Sequence, residues 1–442
     1  MAIARHSATL SAAERDLEAA REALAALAAT DSAEGLGGAG PPEPTAVRFT
    51  DSDARCVTES FKRLLAEPAA AMEYHFARLF ADNPELRALF PLAMTQTRVA
   101  MFRGLADLVA ALETPGAGGR HAVERQLAEI AAGHRKYGVS EQDYRPFFAA
   151  LQATAEYVGD RWDERHAAAW RAFSRFCSEG MRAGAARDAG ERPAWWLGEI
   201  VQHDLRCPDV AVLTIRPDPP LHFQPGQYLA VQVPRWPRVW RDYSIANAPR
   251  DNGLIDLHVR AVPGGMLSTT LVGDCAAGDT IVLGAPTGEM TAPTGPAEAD
   301  RPMVCVAGGT GLAPIKAIVE AVVGAARQGK RRPITLYVGA RRSQDLYDMR
   351  DLETLVLAYP SLTLVPVAER ELDFVGRVGR LPEVAAAHES FRDADVYVAG
   401  PAGLISATQR ALAARVLPGR LHHDRIEALR AARWPHRMDY QT

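Results

Sequence analysis

Four short stretches in the second half of the chain carry residue types suited to a diphosphate-bearing cofactor. Arg241-Asp242-Tyr243-Ser244 offers a guanidinium for a diphosphate, a phenol ring to stack on a flat isoalloxazine, and a hydroxyl that can hydrogen-bond the ring nitrogen receiving hydride. In Gly265-Met266-Leu267-Ser268 the glycine lets backbone N–H groups approach a phosphate, and Ser268 is placed to cap a helix whose N-terminus then holds the anion. Val304 to Pro314 (VCVAGGTGLAP) is an apolar strand that breaks at Gly308, Gly309, Thr310 and Gly311 and opens a helix, the context of a pyrophosphate turn with a spacing unlike GxGxxG. Val398-Ala399-Gly400-Pro401 ends a later strand, where a parallel sheet presents its ligand crevice. Singly, each also reads as a strand-end arginine, an ordinary cap or a ligand-free glycine turn; their order and separations are far more specific. In the first half, His134 follows the amphipathic LAEIAAG and precedes Tyr144 by ten residues. An imidazole is a good iron ligand and a nearby phenol can orient it, although a single helical histidine is more often a core or surface residue.

The elements that must position these groups fall into blocks. Ala8 to Ala29 is alanine-rich, with Leu10, Leu17, Leu24 and Leu27 near heptad spacing and a Ser11/Glu14 capping box, and reads as one helix that either touches a second protomer weakly or frays. The Gly- and Pro-rich stretch after it completes residues 1–47 as a tether. From 48 to 187 apolar stripes recur at the helical period with almost no strand signal, which predicts an all-α domain. Residues 188–297 hold short β-like runs punctuated by Gly, Pro and Asp, which predict a small antiparallel β-barrel. Residues 298–430 alternate strand and helix, which predicts a parallel sheet with crossover helices and hence an α/β nucleotide-binding domain; 431–442 are a tail.

Composition bounds the function. With 442 residues, 48% hydrophobic and 24% charged, collagen-like, mucin-like and wholly disordered classes are excluded. Fifty basic against 54 acidic residues give −4, no field to attract nucleic acid or an anionic membrane, so the expected partners are small molecules. Cys56, Cys177, Cys207, Cys275 and Cys305 are scattered without CxxC spacing, which argues against a disulfide framework, a zinc ribbon or a plant-type iron–sulfur cluster. No apolar leader precedes Glu14 and no uninterrupted apolar run reaches bilayer length, so no transmembrane segment and a cytoplasmic location are expected.

Through RDYS, GMLS, GGTGLAP and AGP, residues 194–430 resemble the ferredoxin–NADP reductase superfamily. The resemblance implies that Arg241, Tyr243 and Ser244 hold FAD, that Gly265, Met266, Leu267 and Ser268 hold its pyrophosphate, and that Gly308, Gly309, Thr310, Gly311 and Pro314 hold the nicotinamide dinucleotide, with Gly400 and Pro401 at its nicotinamide end. Many members carry Cys where this chain has Ala399. After the expected second-last strand, Glu369 favours a free ribose hydroxyl and thus NADH, while Arg370 or Arg341 suits a 2′-phosphate.

A flavin can release singly the electrons it accepts as hydride, which asks what acceptor the helical domain holds. A helix, NPELRALFP, a long helix, then His134, Gly138, Val139 and Tyr144 make residues 49–186 similar to the globin domain of flavohaemoglobins, and the fusion to a reductase strengthens that likeness. The resemblance implies haem b with His134 as proximal iron ligand, Tyr144 as its neighbour, Phe90 packed on haem, and Met101 and Phe102 lining the pocket. It also implies electron flow from NAD(P)H through FAD to haem and conversion of nitric oxide and dioxygen to nitrate. A gas or redox sensor, or a reductase with another acceptor, are the alternatives. The distal positions depart from the family: Phe76 stands where a Tyr is common and Thr97 where a Gln is common, with Tyr74 and His75 turned to other helix faces. The family's proximal glutamate falls on Ala185, with Glu179 out of register, and the Lys before the histidine is Gly133.

Overall fold

The computed structural model describes residues 49–424, apart from 92, 115, 160–161, 294–300, 327–331, 389–390 and 392. The helix expected at 8–29, its tether and the tail 431–442 lie outside the described residues. The chain divides into two compact units after Trp195.

The first unit is helical, as its apolar periodicity predicts: α1 Asp51–Ala66, α2 Pro68–Asp82, α3 Thr95–Ala111, α4 Ala117–His134, α5 Glu141–Val158 and α6 Glu164–Glu191. Thr50 with Asp53 and Ser140 with Asp143 form reciprocal capping boxes that start α1 and α5, and Asp163 accepts the His166 N–H to start α6. Pro68 divides what reads as one helical run, because it lacks an N–H and crowds the preceding turn. Phe61, Met72, Phe76, Leu127, Leu151, Trp170 and Phe173 fill one core. Two glycines bring α6 onto α4: a Cβ at Gly180 would lie 2.7 Å from Leu127 Cδ1, and one at Gly184 2.5 Å from Ala128 Cα. The last helix runs past residue 187 to Glu191.

The second unit opens with six antiparallel strands in the order β4-β3-β6-β1-β2-β5: β1 Trp196–Cys207, β2 Val210–Asp218, β3 Tyr228–Gln232, β4 Arg241–Ser244, β5 Ile255–Arg260 and β6 Thr280–Leu283. A bridge from Ile245 to Leu257 ties the two edges and closes the sheet. Ile255, Leu257 and Val259 point into the barrel core, and α7 Met266–Gly273 packs Leu267 and Leu271 against it.

The chain then alternates: β7 Met303–Gly308, α8 Leu312–Ala326, β8 Ile334–Ala340, α9 Met349–Ala358, β9 Leu362–Ala368, β10 Arg377–Val378, α10 Leu381–His388, β11 Asp395–Ala399, α11 Ala402–Leu412 and β12 Leu421–His422. All pairings are parallel, in the order β10-β9-β8-β7-β11-β12. The two-residue strands and α10 carry too short a pattern to read from sequence, yet a crossover between parallel neighbours demands an element like α10. Gly309–Ala326 is long and apolar enough by composition to cross a membrane, but it contains Lys316 and Glu320 and its apolar residues pack into this sheet's core.

Candidate functional site

The strand order reverses at β7: the chain steps outward through β8, β9 and β10, then returns to β11 on the opposite side. Ligands of open α/β sheets bind beyond the carboxyl ends of strands at such a point. Both glycine turns meet there. Gly309 has φ +57°, and a Cβ on Gly311 would sit 2.4 Å from the Ala399 carbonyl carbon and from the Gly400 nitrogen, so only glycine allows the two turns to touch. Gly308, Gly309, Thr310 and Gly311 are thus brought against Ala399, Gly400 and Pro401, and Pro314 is buried in the first turn of α8. Glu369 and Arg370 follow β9 at the same end of the sheet, their N–H groups bonded to the Ala340 and Arg341 carbonyls at 3.0 and 3.2 Å. The Glu369 carboxylate lies 3.9 Å from Arg380.

Arg241, Tyr243 and Ser244 line β4, with Ser244 in register with Tyr228. Arg241 is exposed and donates to the Trp240 carbonyl at 2.8 Å. The helix α7 is capped differently from the expectation. Gly265, not Ser268, is the cap residue, and Ser268 sits in the first turn, where its Oγ accepts the Val262 N–H at 3.1 Å. The physical reason is room: a Cβ on Gly265 would lie 2.8 Å from Ser268 Oγ and 3.0 Å from the Val262 carbonyl oxygen. With no side-chain cap, the first N–H groups of α7 are the ones suited to an anion. Met266 stands exposed over them and Leu267 is buried in the barrel core.

In the helical unit, His134 ends α4 and its Nδ1 donates to the Ile130 carbonyl at 2.7 Å, which leaves Nε2 as the nitrogen that could ligate a metal. Burial holds the imidazole below its ordinary range, so it is neutral, as a metal ligand must be. The orienting role expected of Tyr144 is not realised: the His134 bond goes to Ile130, and the Tyr144 hydroxyl, buried and pushed up to about 12 by burial, has no partner. Phe90 meets Phe76 edge-on at 5.4 Å and Phe80 at 5.3 Å between ring centroids. Thr97 and Met101 stand one turn apart on α3, both part-buried. Phe102, expected beside Met101 in the pocket, is 7% exposed and stacks on Phe61 in the core, since consecutive helical residues point about 100° apart. Tyr74 stacks on Tyr157, and His75, fully buried, has Phe147 at 4.7 Å and Phe76 at 5.0 Å. Phe90, Met94, Met101, Val139 and Phe147 all pack on the core while keeping part of their surface accessible, apolar side chains of the kind a flat macrocycle packs against. The residues present fit haem.

Sequence reading missed a buried ionic network in the second unit. Lys316 Nζ lies 2.7 Å from Asp348 and 3.2 Å from Asp351, and Arg206 on β1 lies 3.1 Å from Asp351. Close by, His258 Nδ1 and the Tyr347 hydroxyl are 2.8 Å apart. These contacts lock the barrel to the α/β domain. The alternation Ile255-Asp256-Leu257-His258-Val259 reads as a strand with a solvent face, and the second domain covers that face.

The globin family model matches residues 74–180, the oxidoreductase FAD-binding domain model residues 198–291, and the oxidoreductase NAD-binding domain model residues 305–410. The chain is 35% identical over 208 residues to the electron transfer component of the xylene/toluene monooxygenase of Pseudomonas putida, 46% of this chain and 57% of that protein. It therefore spans little more than half the length of that relative. An NAD(P)H-flavin reductase of Aliivibrio fischeri is 33% identical over 202 residues, 44% of this chain and 82% of the other. The flavohaemoglobin of Malassezia yamatoensis, solved with FAD and haem bound, aligns over 84% of this chain and 98% of its own with a TM-score of 0.68 at 15% identity, which is a likeness of fold. The chain belongs to the oxidoreductases built from this FAD-binding and NAD-binding pair. Its first unit is a globin, the whole has the fold of a flavohaemoglobin, and haem, FAD and a nicotinamide dinucleotide are its cofactors.

Proposed function

We propose that the chain carries electrons from NADH through FAD to a haem b held by His134, and that it converts nitric oxide and dioxygen to nitrate. FAD supplies the change from hydride to single electrons, and haem iron the one-electron and gas-binding chemistry. The observation that carries this reading is His134, with Nδ1 committed to Ile130 and Nε2 left for iron, in one chain with a paired set of dinucleotide turns. Gly308, Gly309, Thr310 and Gly311 present backbone N–H groups to the pyrophosphate, and Gly400-Pro401 borders the nicotinamide end. Glu369 accepts from a ribose hydroxyl, which favours NADH over NADPH; Arg370 and Arg341 are the groups that would meet a 2′-phosphate. Arg241 and the first turn of α7 neutralise the FAD diphosphate, Tyr243 stacks on the ring system, and Ser244 hydrogen-bonds it.

An absorption spectrum of the purified protein, oxidised, then reduced anaerobically with NADH, then given air and nitric oxide, tests the reading. A Soret band beside flavin absorption, reduction by NADH, a spectral change in air that nitric oxide bleaches, and nitrate in the product are expected. Iron that simply oxidises in air, with no nitrate formed, overturns dioxygenation. The aromatic cluster Phe76, Phe80 and Phe90 offers bound gas no hydrogen-bond donor, and it favours a second reading in which the globin senses gas or redox state or serves another acceptor. Turnover with artificial acceptors, and partner capture with residues 1–47, separate these.

A further inference from the structure

We infer that the bridge Arg135–Asp188–Arg192 is the positioning element of the proximal side, and that it leaves His134 a neutral imidazole whose Nδ1 partner is a backbone carbonyl instead of a carboxylate. The inference rests on the reading that haem binds at His134. Along α6, Gly180, Gly184 and Asp188 recur at four-residue intervals on one face. The glycines meet Leu127 and Ala128 on α4, and the next contact of that seam is Asp188 with Arg135, the residue after His134. Arg135 Nη1 donates to Asp188 Oδ2 at 2.5 Å and to the Arg192 carbonyl at 3.0 Å, and Arg192 Nε donates to Asp188 Oδ1 at 2.6 Å. Both carboxylate oxygens are thereby used on a side chain that is only 10% accessible. The only acidic side chain buried in this unit's described core is therefore committed to arginines, and the Tyr144 hydroxyl is left without a partner.

The chemical consequence concerns which substrates the iron suits. A carboxylate accepting from Nδ1 gives imidazole anionic character and pushes electron density to iron, the condition that favours O–O cleavage; a carbonyl does this far less. With a clamp one residue away fixing the geometry and a carbonyl setting the charge, this proximal side suits diatomic gases over peroxides.

Resonance Raman spectroscopy of the ferrous full-length protein, with haem transfer to apomyoglobin, tests the inference through Asp188→Asn and Asp188→Glu. The iron–histidine stretch is expected in the low-frequency range of carbonyl-bonded imidazoles. Asp188→Asn is expected to shift and broaden it and to speed haem loss about ten-fold, the scale of one charge-assisted hydrogen bond. Asp188→Glu is expected to restore both. An Asp188→Asn protein with an unchanged band and unchanged haem loss overturns the clamp, and a wild-type band in the range of carboxylate-bonded imidazoles overturns the charge assignment; in either case a normal Soret band leaves haem binding standing. Absence of any Soret band in the wild type overturns the haem reading and this inference with it. Should Asp188→Asn fail to fold, Arg135→Gln against Arg135→Lys asks the same question.

Discussion

The two units differ in where their buried ionic pairs lie and in which neutral side chains they leave without a partner. In the reductase unit the buried ions of the described residues are answered by opposite ions: Lys316 by Asp348, Arg332 by Asp395, and Asp256 by Arg250. In the globin unit Asp188 is likewise answered by Arg135 and Arg192 at one end, but the His75 imidazole and the Tyr144 hydroxyl are buried with no partner. A paired ion fixes geometry, whereas an orphaned polar group costs stability even when neutral and far more if it becomes charged. The reductase thus presents a crevice preset by backbone turns and ionic locks. The globin unit offers neutral groups, with the proposed iron ligand His134 at the end of α4, its Nδ1 committed to a backbone carbonyl.

The largest expected effect breaks the comparison by removing one cofactor at a time. His134→Ala should abolish the Soret band and leave flavin absorption intact, and Arg241→Ala should do the reverse. Absorption spectra and extracted cofactor content of the two purified variants check this, and haem at full occupancy in His134→Ala defeats the proximal assignment.

Next in size is Lys316→Met. It leaves Asp348, which is fully buried, without its closest cation, a loss of about 3–5 kcal/mol for a broken buried pair. Flavin release should move to markedly lower temperature, followed by flavin fluorescence, while the Soret transition of the globin stays in place. A shift in the Soret transition of equal size would show that the ionic lock does not belong to the reductase unit alone.

What was legible in the sequence follows from the same contrast. The reductase motifs could be read because touching turns and N–H cradles restrict residue type: Gly311 and Gly400 are nearly the only solutions at their positions. His134 could be singled out only by its order among landmarks. Its surroundings were not, since Phe90, Phe102 and Phe147 read alike whether they line a pocket or fill a core, and only packing separated Phe102, stacked on Phe61, from Phe90. Asp188 was hidden because RDAGER looks like the polar end of a helix, and its partner is 53 residues away. Lys316 and His258 were hidden because period-2 and period-3.6 patterns say which face is polar but not whether a second domain covers it.

His75 gives a sharper test of the globin's orphaned groups. Burial pushes its imidazole down to about 4 from the ordinary 6.5, so the native state stays neutral where the unfolded chain is already protonated. The unfolded state then binds more protons as pH falls, and stability is lost from about pH 6.5 down to about pH 4, a total of about 3 kcal/mol. His75→Phe, which keeps the ring contacts with Phe147 and Phe76, should flatten that part of the pH profile. Urea unfolding of the full chain at several pH values, read at the Soret band, decides it; an acid slope that persists unchanged would place the proton uptake elsewhere.

The smallest expected effect lies in the distal pocket. Phe76 is 1% exposed, with Phe90 edge-on to it at 5.4 Å and His75 at 5.0 Å. Phe76→Tyr adds a donor to this aromatic set, and a hydrogen bond to an acceptor carrying charge contributes about 1.5–3 kcal/mol, from which crowding by Phe80 and Phe90 subtracts. A slowing of dioxygen dissociation by about ten-fold is expected, measured by stopped flow, with NADH-driven flavin reduction unchanged. His75 is a competing acceptor, because its neutral ring abuts residue 76 and both its nitrogens are free of partners. The double variant Phe76→Tyr with His75→Phe removes that competitor and should slow dissociation further. If the single variant has no effect and the double variant does, the orphaned imidazole is what captures the new hydroxyl; if neither does, residue 76 does not face the gas.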